Sequence, residues 1–152
     1  MGDAQRQLRH YEDKLAFEID SWDLHVALRA GEPVIVVDAR SPDAYRREHI
    51  PGARNLPHRA IDADVASRLD RDALLVAYCD GIGCNASSKG ALALLRLGFR
   101  VKELIGGLDW WKRDGHPTHG EALQASEASA QRAEGERSHQ VAAAPACGCA
   151  SE

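Results

Sequence analysis

The 152-residue sequence contains no apolar run long enough to cross a bilayer as a helix. Residues 1–16 are polar and charged and lack the apolar stretch of a signal peptide, so we expect a cytoplasmic protein. The sequence also lacks an excess of basic residues: it contains 19 Lys and Arg and 23 Asp and Glu, which gives a net charge of -4. Nucleic acids and anionic membranes both require a basic surface, so we expect neither as the main partner.

Cysteine is scarce, with four residues in all. A hydrophobic content of 44% is enough for a core without disulfide bonds, and a reducing compartment keeps thiols free. We therefore expect the cysteines to serve chemistry or metal binding. The histidines show no metal-ligand spacing, which argues against a metal site built on them.

Hydrophobic patterning predicts alternating strands and helices. Residues 33–38 and 73–78 are runs of aliphatic, partly β-branched residues, typical of strands that are buried on both faces of a parallel sheet. Because strands and helices alternate, we expect an α/β fold with a mostly parallel sheet and helices on both faces. Further strands are predicted at 16–19, 54–56 and 101–105, and helices at 21–30, 41–48, 61–69, 86–97 and around 110–111.

Composition divides the chain into three parts. Residues 1–14 form a charged N-terminal arm, and residues 15–118 carry the alternating pattern of one domain. Residues 119–152 form a low-complexity, flexible tail, and the large apolar residues needed to offset ordering entropy are almost absent from it. We expect this tail to be disordered or marginally helical. It ends in Cys147-Gly-Cys149, for which no role, a sulfur relay, soft-metal binding and a strained disulfide all remain open.

Cys79 directly follows the strand predicted at 73–78 and precedes a glycine-bearing loop and a helix. Ligands of open α/β sheets bind beyond the carboxyl ends of the strands, where Cys79 is expected to lie. Gly81 and Gly83 would allow the loop amides to point inward as an anion nest, and the helix from Ala86 would add its positive N-terminus. We therefore predict a nucleophilic Cys79 whose thiol pKa is lowered.

Three motifs, taken together and in this order, resemble those of the rhodanese family. The resemblance covers about residues 16–117 and implies a single rhodanese-like domain with a five-stranded, mostly parallel sheet. The motifs are Asp38-Ala-Arg40 followed by His49-Ile-Pro-Gly-Ala53-Arg-Asn55, then Tyr78-Cys79 with its glycine loop, and finally Gly98-Phe99 with Leu104-Ile-Gly-Gly107 and Trp110.

The resemblance implies a sulfurtransferase that needs no metal and no organic cofactor. In this family the active cysteine takes a sulfane sulfur from a small donor, becomes a persulfide and passes the outer sulfur to a thiol, a protein or cyanide. Carried over to this sequence, Cys79 is the nucleophile, and Asp38, Arg40 and His49 are supporting residues that hold the neighbouring loops. The expected active-site loop, which supplies backbone donors, consists of Asp80, Gly81, Ile82, Gly83, Cys84, Asn85 and Ala86.

The sequence departs from the family pattern in its loop. The loop is about two residues longer than in common single-domain members, counting back from Gly98. In this superfamily, longer loops occur in cell-cycle phosphatases and arsenate reductases. The loop contains no arginine, however, which argues against phosphatase action, since phosphate chemistry usually uses a guanidinium clamp. Asp80 should oppose both thiolate formation and the thiosulfate dianion, with Lys89 partly offsetting its charge, so the donor is expected to differ from thiosulfate.

Alternatives to a sulfurtransferase remain open. The chain could be a non-catalytic rhodanese-like module that regulates or binds a partner, a same-fold phosphatase or arsenate reductase, or a redox protein that uses Cys79 with Cys84. Cys84 could also be a loop residue without a role, the nucleophile itself, or a thiol that resolves a Cys79 persulfide. The sulfur donor, the acceptor, the pathway and the oligomeric state cannot be read from the sequence.

Overall fold

The computed structural model describes residues 2–141, and the side chains of residues 2–132. The strands lie in the order β1-β5-β4-β2-β3, and every neighbouring pair is parallel. The predicted α/β fold is therefore confirmed, with a sheet that is fully parallel. The five strands are β1 (Glu18–Ile19), β2 (Val34–Asp38), β3 (Arg54–Asn55), β4 (Leu74–Tyr78) and β5 (Arg100–Leu104).

Seven α-helices lie within the described residues. Ser41 caps the third of them, because its Oγ accepts the Ala44 N–H at 3.3 Å, and Pro42 occupies the first turn, where no N–H is needed. No helix in this part of the chain combines the length and apolar character needed to cross a membrane. The helices are α1 (Asp3–Phe17), α2 (Ser21–Arg29), α3 (Pro42–Arg47), α4 (Ala63–Ala66), α5 (Ala86–Arg96), α6 (Gly107–Arg113) and α7 (Glu121–Val141), and a 3-10 turn spans His58–Ala60.

Alternate residues of β4 face two separate cores, one on each side of the sheet. Val76 packs in a core with Leu24 of α2 and Trp111 of α6. Leu75 packs on the opposite side with Leu94 of α5. All five side chains are fully or almost fully buried, and burying each contributes about 1.5–3 kcal/mol. Helices therefore cover both faces, which leaves the carboxyl edge of the sheet open to a ligand.

The two ends of the described chain are helical. None of the residues of α1 is buried, although the Leu15 carbonyl accepts a hydrogen bond of 3.2 Å from Lys102 Nζ on β5. The helix α7 lies where the composition allowed either disorder or a marginal helix, and it contacts α3. Cys147 and Cys149 lie outside the described residues, so their possible roles stay as the sequence left them.

Candidate active site

Cys79 follows the last residue of β4 and lies at the carboxyl edge of the sheet, as the sequence predicts. Only 2% of its surface is exposed, but its side chain borders a cavity of about 290 Å³. The walls of this cavity come from the loop after β4, the first turn of α5, the end of β5, and Lys14 and Glu18 near the N-terminus. This cavity therefore gives a small molecule access to the sulfur.

Two backbone carbonyl groups of the loop lie close to the sulfur of Cys79. Its thiol is within hydrogen-bonding distance of the Cys84 carbonyl at 3.0 Å and the Gly81 carbonyl at 3.6 Å. Neither Gly81 nor Gly83 has a positive φ, and the Cys84 N–H donates to the Gly81 carbonyl at 3.1 Å, which closes the loop as a turn. The loop therefore folds back on itself and uses one of its amides in that turn, whereas the Ser87 amide at the start of α5 bonds to the Cys79 sulfur. The wider nest of inward-pointing amides stays a prediction.

The thiol of Cys79 is harder to ionise than the sequence predicts. Burial raises its pKa, Ser87 lowers it through a side-chain and an amide hydrogen bond, and the neighbouring Cys84 side chain raises it further. The net direction is upward, so the predicted lowering of the thiol pKa is wrong. Burial is the main cause, because it takes the sulfur out of the water that would otherwise stabilise a thiolate.

A hydrogen-bonded chain leads from this sulfur to a carboxylate. Ser87 Oγ, in the first turn of α5, lies 3.3 Å from Cys79 Sγ and donates to Glu103 Oε1 at 2.7 Å. Ser88 Oγ donates to the same oxygen at 2.8 Å. Sequence reasoning missed these three partners of the site. Glu103 carried a usable signal, since it is a charged residue near the carboxyl end of the strand predicted at 101–105.

Asp38, the last residue of β2, and Arg40 form a buried ion pair. Arg40 Nε donates to Asp38 Oδ1 at 2.9 Å, and Nη2 donates to Asp38 Oδ2 at 2.6 Å. Tyr78 OH donates to the same carboxylate at 2.6 Å. Arg40 also holds Asp80, whose Oδ1 accepts from Nη1 at 2.8 Å. The charge of Asp80 is therefore offset by Arg40, a pairing that the sequence did not suggest, and Lys89 is exposed in the first turn of α5.

His49 lies in a turn and does not border the cavity around Cys79. Its Nδ1 is 2.7 Å from the Tyr45 carbonyl, its ring stacks on that of Tyr45, and its N–H donates to the His119 carbonyl at 2.8 Å. These contacts agree with the structural role that the sequence favoured. No group of three or more His, Cys, Asp or Glu side chains among the described residues is arranged to hold a metal ion.

The remaining loop residues differ in exposure. Ile82 is 82% exposed, whereas Cys84 is partly buried and borders the same cavity as Cys79. Asn85 precedes α5 without capping it through its side chain, and the buried Ala86 is the first helical residue. Cys84 is therefore the one other thiol beside Cys79 in the part of the chain whose side chains are described.

The start of α6 holds the backbone of Cys79 in place. The Cys79 carbonyl accepts from Leu108 N–H at 2.9 Å, and the Asp80 carbonyl accepts from Asp109 N–H at 2.8 Å. Gly107 makes this approach possible, because it has φ +56° and a Cβ atom there would lie 2.2 Å from the Cys79 carbonyl oxygen. Gly107 therefore allows α6 to hold the peptide that carries the sulfur.

Comparison with known proteins points to one family. The profile of the rhodanese-like domain matches residues 22–114. Thiosulfate sulfurtransferase GlpE of Pseudomonas entomophila is 38% identical over 88 residues, which are 57% of this chain and 77% of that protein. The HTH-type transcriptional regulator Rv0324 of Mycobacterium tuberculosis is also 38% identical over 88 residues, but the match spans only 38% of its length. The crystal structure of the BH2092 protein from Bacillus halodurans superposes with a TM-score of 0.75 at 39% identity, covering 79% of this chain and 88% of that one.

Proposed function

The chain belongs to the rhodanese-like domain family, and within that family we propose that it is a sulfurtransferase that carries sulfur as a persulfide on Cys79. The observation that supports this proposal most directly is the position of the sulfur. Cys79 is buried everywhere except toward a cavity of about 290 Å³, which is large enough for a small sulfur donor. An arrangement of this kind favours attack on a bound molecule over reaction with bulk solvent.

The reaction proceeds in two displacements on sulfur. The Cys79 sulfur attacks the outer sulfur of a sulfane donor, a new S–S bond forms, and the donor's own S–S bond breaks as its inner sulfur leaves with the electron pair. An acceptor thiol, small or on a protein, then attacks the outer sulfur of the Cys79 persulfide. The acceptor leaves as a persulfide, and the Cys79 sulfur is restored without any external oxidant or reductant.

The charges around the cavity favour a donor of low negative charge. Glu18 and Glu103 both border the cavity, and Lys14, which also borders it, is paired with Glu18. Two carboxylates repel a dianion such as thiosulfate, and the repulsion is stronger in a partly enclosed space than in water. We therefore propose a neutral or singly charged donor, such as the persulfide of a small thiol, in a reducing cytoplasm that keeps Cys79 free.

A regulatory binding module is the second candidate. The raised pKa of the Cys79 thiol makes the resting sulfur a weak nucleophile, and one relative is named a transcriptional regulator. A phosphatase has less support, because the loop from Asp80 to Ala86 contains no arginine. The nearby Arg40 guanidinium is already bound to Asp38 and Asp80.

The decisive experiment is intact mass spectrometry after incubation with sulfur donors. The wild-type protein, Cys79→Ser and Cys84→Ser would each be treated with thiosulfate and, separately, with cysteine persulfide, which carries at most a single net negative charge near neutral pH. We expect the persulfide to add one sulfur to the wild type and to Cys84→Ser but not to Cys79→Ser, with little addition from thiosulfate. Release of that sulfur to cyanide, measured as thiocyanate, would establish turnover.

Two outcomes contradict the proposal. A gain of sulfur that is lost in Cys84→Ser and kept in Cys79→Ser would move the nucleophile to Cys84. Absence of any gain on Cys79 with either donor would favour the regulatory module. Because Cys147 and Cys149 could also take up sulfur, the added mass would be localised by fragmenting the peptides.

A further inference from the structure

A buried serine connects the proposed nucleophile to an acidic side chain. Ser87 is 3% exposed, lies 3.3 Å from Cys79 Sγ and donates to Glu103 Oε1 at 2.7 Å. We infer that Ser87 and Glu103 form a proton relay, in which Glu103 takes the thiol proton of Cys79 through Ser87 while the sulfur attacks its donor. The inference extends the proposed function, since it assigns the base for the same step.

The site needs such a base because its other contacts keep the thiol protonated. The carbonyls of Gly81 and Cys84 accept from the thiol and would repel a thiolate. No histidine is among the described residues that border the cavity, and Lys14 is paired with Glu18. Glu103 is thus the basic group that a continuous hydrogen-bonded path joins to the sulfur.

The direction of the hydrogen bonds fits the relay. A serine hydroxyl has one proton and two lone pairs. Since Ser87 gives its proton to Glu103, its lone pairs are available to the Cys79 thiol. Glu103 Oε1 also accepts from Ser88, so it is held as an acceptor by two hydroxyl groups. The single thiol proton of Cys79 can point at the Gly81 carbonyl, the Cys84 carbonyl or Ser87, and only the last orientation leads to a base.

The step balances without a further reactant. The thiol proton moves from Sγ to Ser87 Oγ, and the proton of Ser87 moves to Glu103 Oε1. The electron pair freed on Sγ forms the bond to the outer sulfur of the donor, and the donor's S–S bond breaks toward its inner sulfur. Glu103 then returns its proton to the departing thiolate, which leaves the carboxylate ready for the next cycle.

Other charged groups face the same cavity and have to stay intact in a test. Glu18 lies directly opposite Glu103 in the register between β1 and β5, and Lys14 pairs with Glu18. Cys84 borders the cavity from the loop. The substitutions that test the relay should therefore be confined to Ser87 and Glu103.

The test is the pH dependence of Cys79 alkylation by iodoacetamide, a neutral probe, localised by peptide fragmentation. With a relay, the wild-type rate should vary less than about threefold between about pH 6 and pH 8, because the proton stays within the relay. Glu103→Gln and Ser87→Ala should instead lose about tenfold per pH unit below the thiol pKa, because only the free thiolate reacts. Ser87→Thr, which keeps a hydroxyl, should retain the flat profile.

Ser67→Ala is the matched control. Ser67 is exposed, its hydroxyl donates to the Asp64 carbonyl, and it does not border the cavity around Cys79, so its loss should leave the flat profile unchanged. A wild-type profile in both Glu103→Gln and Ser87→Ala would overturn the relay, and so would an equal loss in Ser67→Ala. If Glu103→Gln does not fold, the Ser87→Ala and Ser87→Thr pair decides. Iodoacetamide needs no sulfur donor, so a failure of sulfur loading would count against the proposed function alone.

Discussion

Arg40 Nη1 donates a hydrogen bond of 2.8 Å to Asp80 Oδ1 and so links the end of β2 to the residue that follows Cys79. The same guanidinium binds both oxygens of Asp38 and the carbonyl of Glu48. Arg40 is 7% exposed and Asp38 is fully buried, so their charges depend on each other for solvation. The loop that carries the candidate nucleophile is thereby anchored to a buried ion pair.

Arg40→Met should destabilise the domain strongly. The substitution leaves Asp38 buried without its counter-charge, which typically costs about 3–5 kcal/mol. Urea unfolding followed by circular dichroism would measure the loss in the free energy of unfolding. Arg46→Met is the matched control, because Arg46 pairs with Asp43 on the exposed surface and should change stability by about 0.5 kcal/mol or less. Similar losses in the two variants would show that the buried pair contributes little.

Gly107→Ala should be more harmful than another glycine substitution at positive φ. At φ +56°, a Cβ atom would lie 2.2 Å from the Cys79 carbonyl, so the peptide of the nucleophile would have to move. Gly52→Ala has the same type of strain at φ +75° but meets no atom within 4 Å, and it should cost only about 1–2 kcal/mol.

We expect Gly107→Ala to lose both stability and the sulfur loading of Cys79, measured by urea unfolding and intact mass. Equal free energies of unfolding in the two alanine variants would mean that the close approach of Gly107 to Cys79 does not affect stability.

Glu18→Gln should make Cys79 more reactive toward an anion. The substitution removes one negative charge from the cavity wall and frees Lys14, which together should favour an anionic reagent by about 1 kcal/mol, or roughly fivefold. The measurement is the ratio of the alkylation rates with iodoacetate and with neutral iodoacetamide, and the gain should shrink at high salt. Glu32→Gln is the control, because Glu32 precedes β2 and so lies at the amino end of the strands, away from the cavity. It should leave the ratio of the two rates unchanged. An equal rise in Glu32→Gln would show that the net charge of the protein, and not the charge of the cavity, determines the ratio.

His25 should make the stability of the domain depend on pH. Burial lowers the pKa of His25, and the charges of His116 and Arg29 act in the same direction. The two histidine rings are stacked at 4.3 Å. Because the folded-state pKa is below the unfolded value, the unfolded chain binds more protons, and this contribution to stability is complete above about pH 6.5.

As the pH falls from about 6.5 through the folded pKa of His25, that contribution should be lost. Unfolding free energies measured across this range should decline less steeply in His25→Gln than in the wild type. His10→Gln, on the exposed helix α1, serves as the control and should follow the wild-type slope. An unchanged slope in His25→Gln would remove His25 as the source of the pH dependence.

Local patterns determined the order of the elements and the place of Cys79. The strands at 33–38 and 73–78 could be predicted because a strand buried on both faces needs a continuous run of apolar residues. The capping of α3 by Ser41 and Pro42 could be predicted because it depends only on neighbouring residues. Since Cys79 directly follows a buried parallel strand, its position at the carboxyl edge of the sheet followed from the same reasoning.

Tertiary structure alone decided which groups surround that sulfur. Packing of the loop after β4 brings the Gly81 and Cys84 carbonyls within hydrogen-bonding distance of the thiol. The chain from Cys79 through Ser87 to Glu103 joins β4, α5 and β5, so it exists only once these elements pack together. Sequence patterns report on residues within a few positions of each other, whereas the ionisation of a buried thiol depends on every dipole and charge that folding brings within a few ångströms.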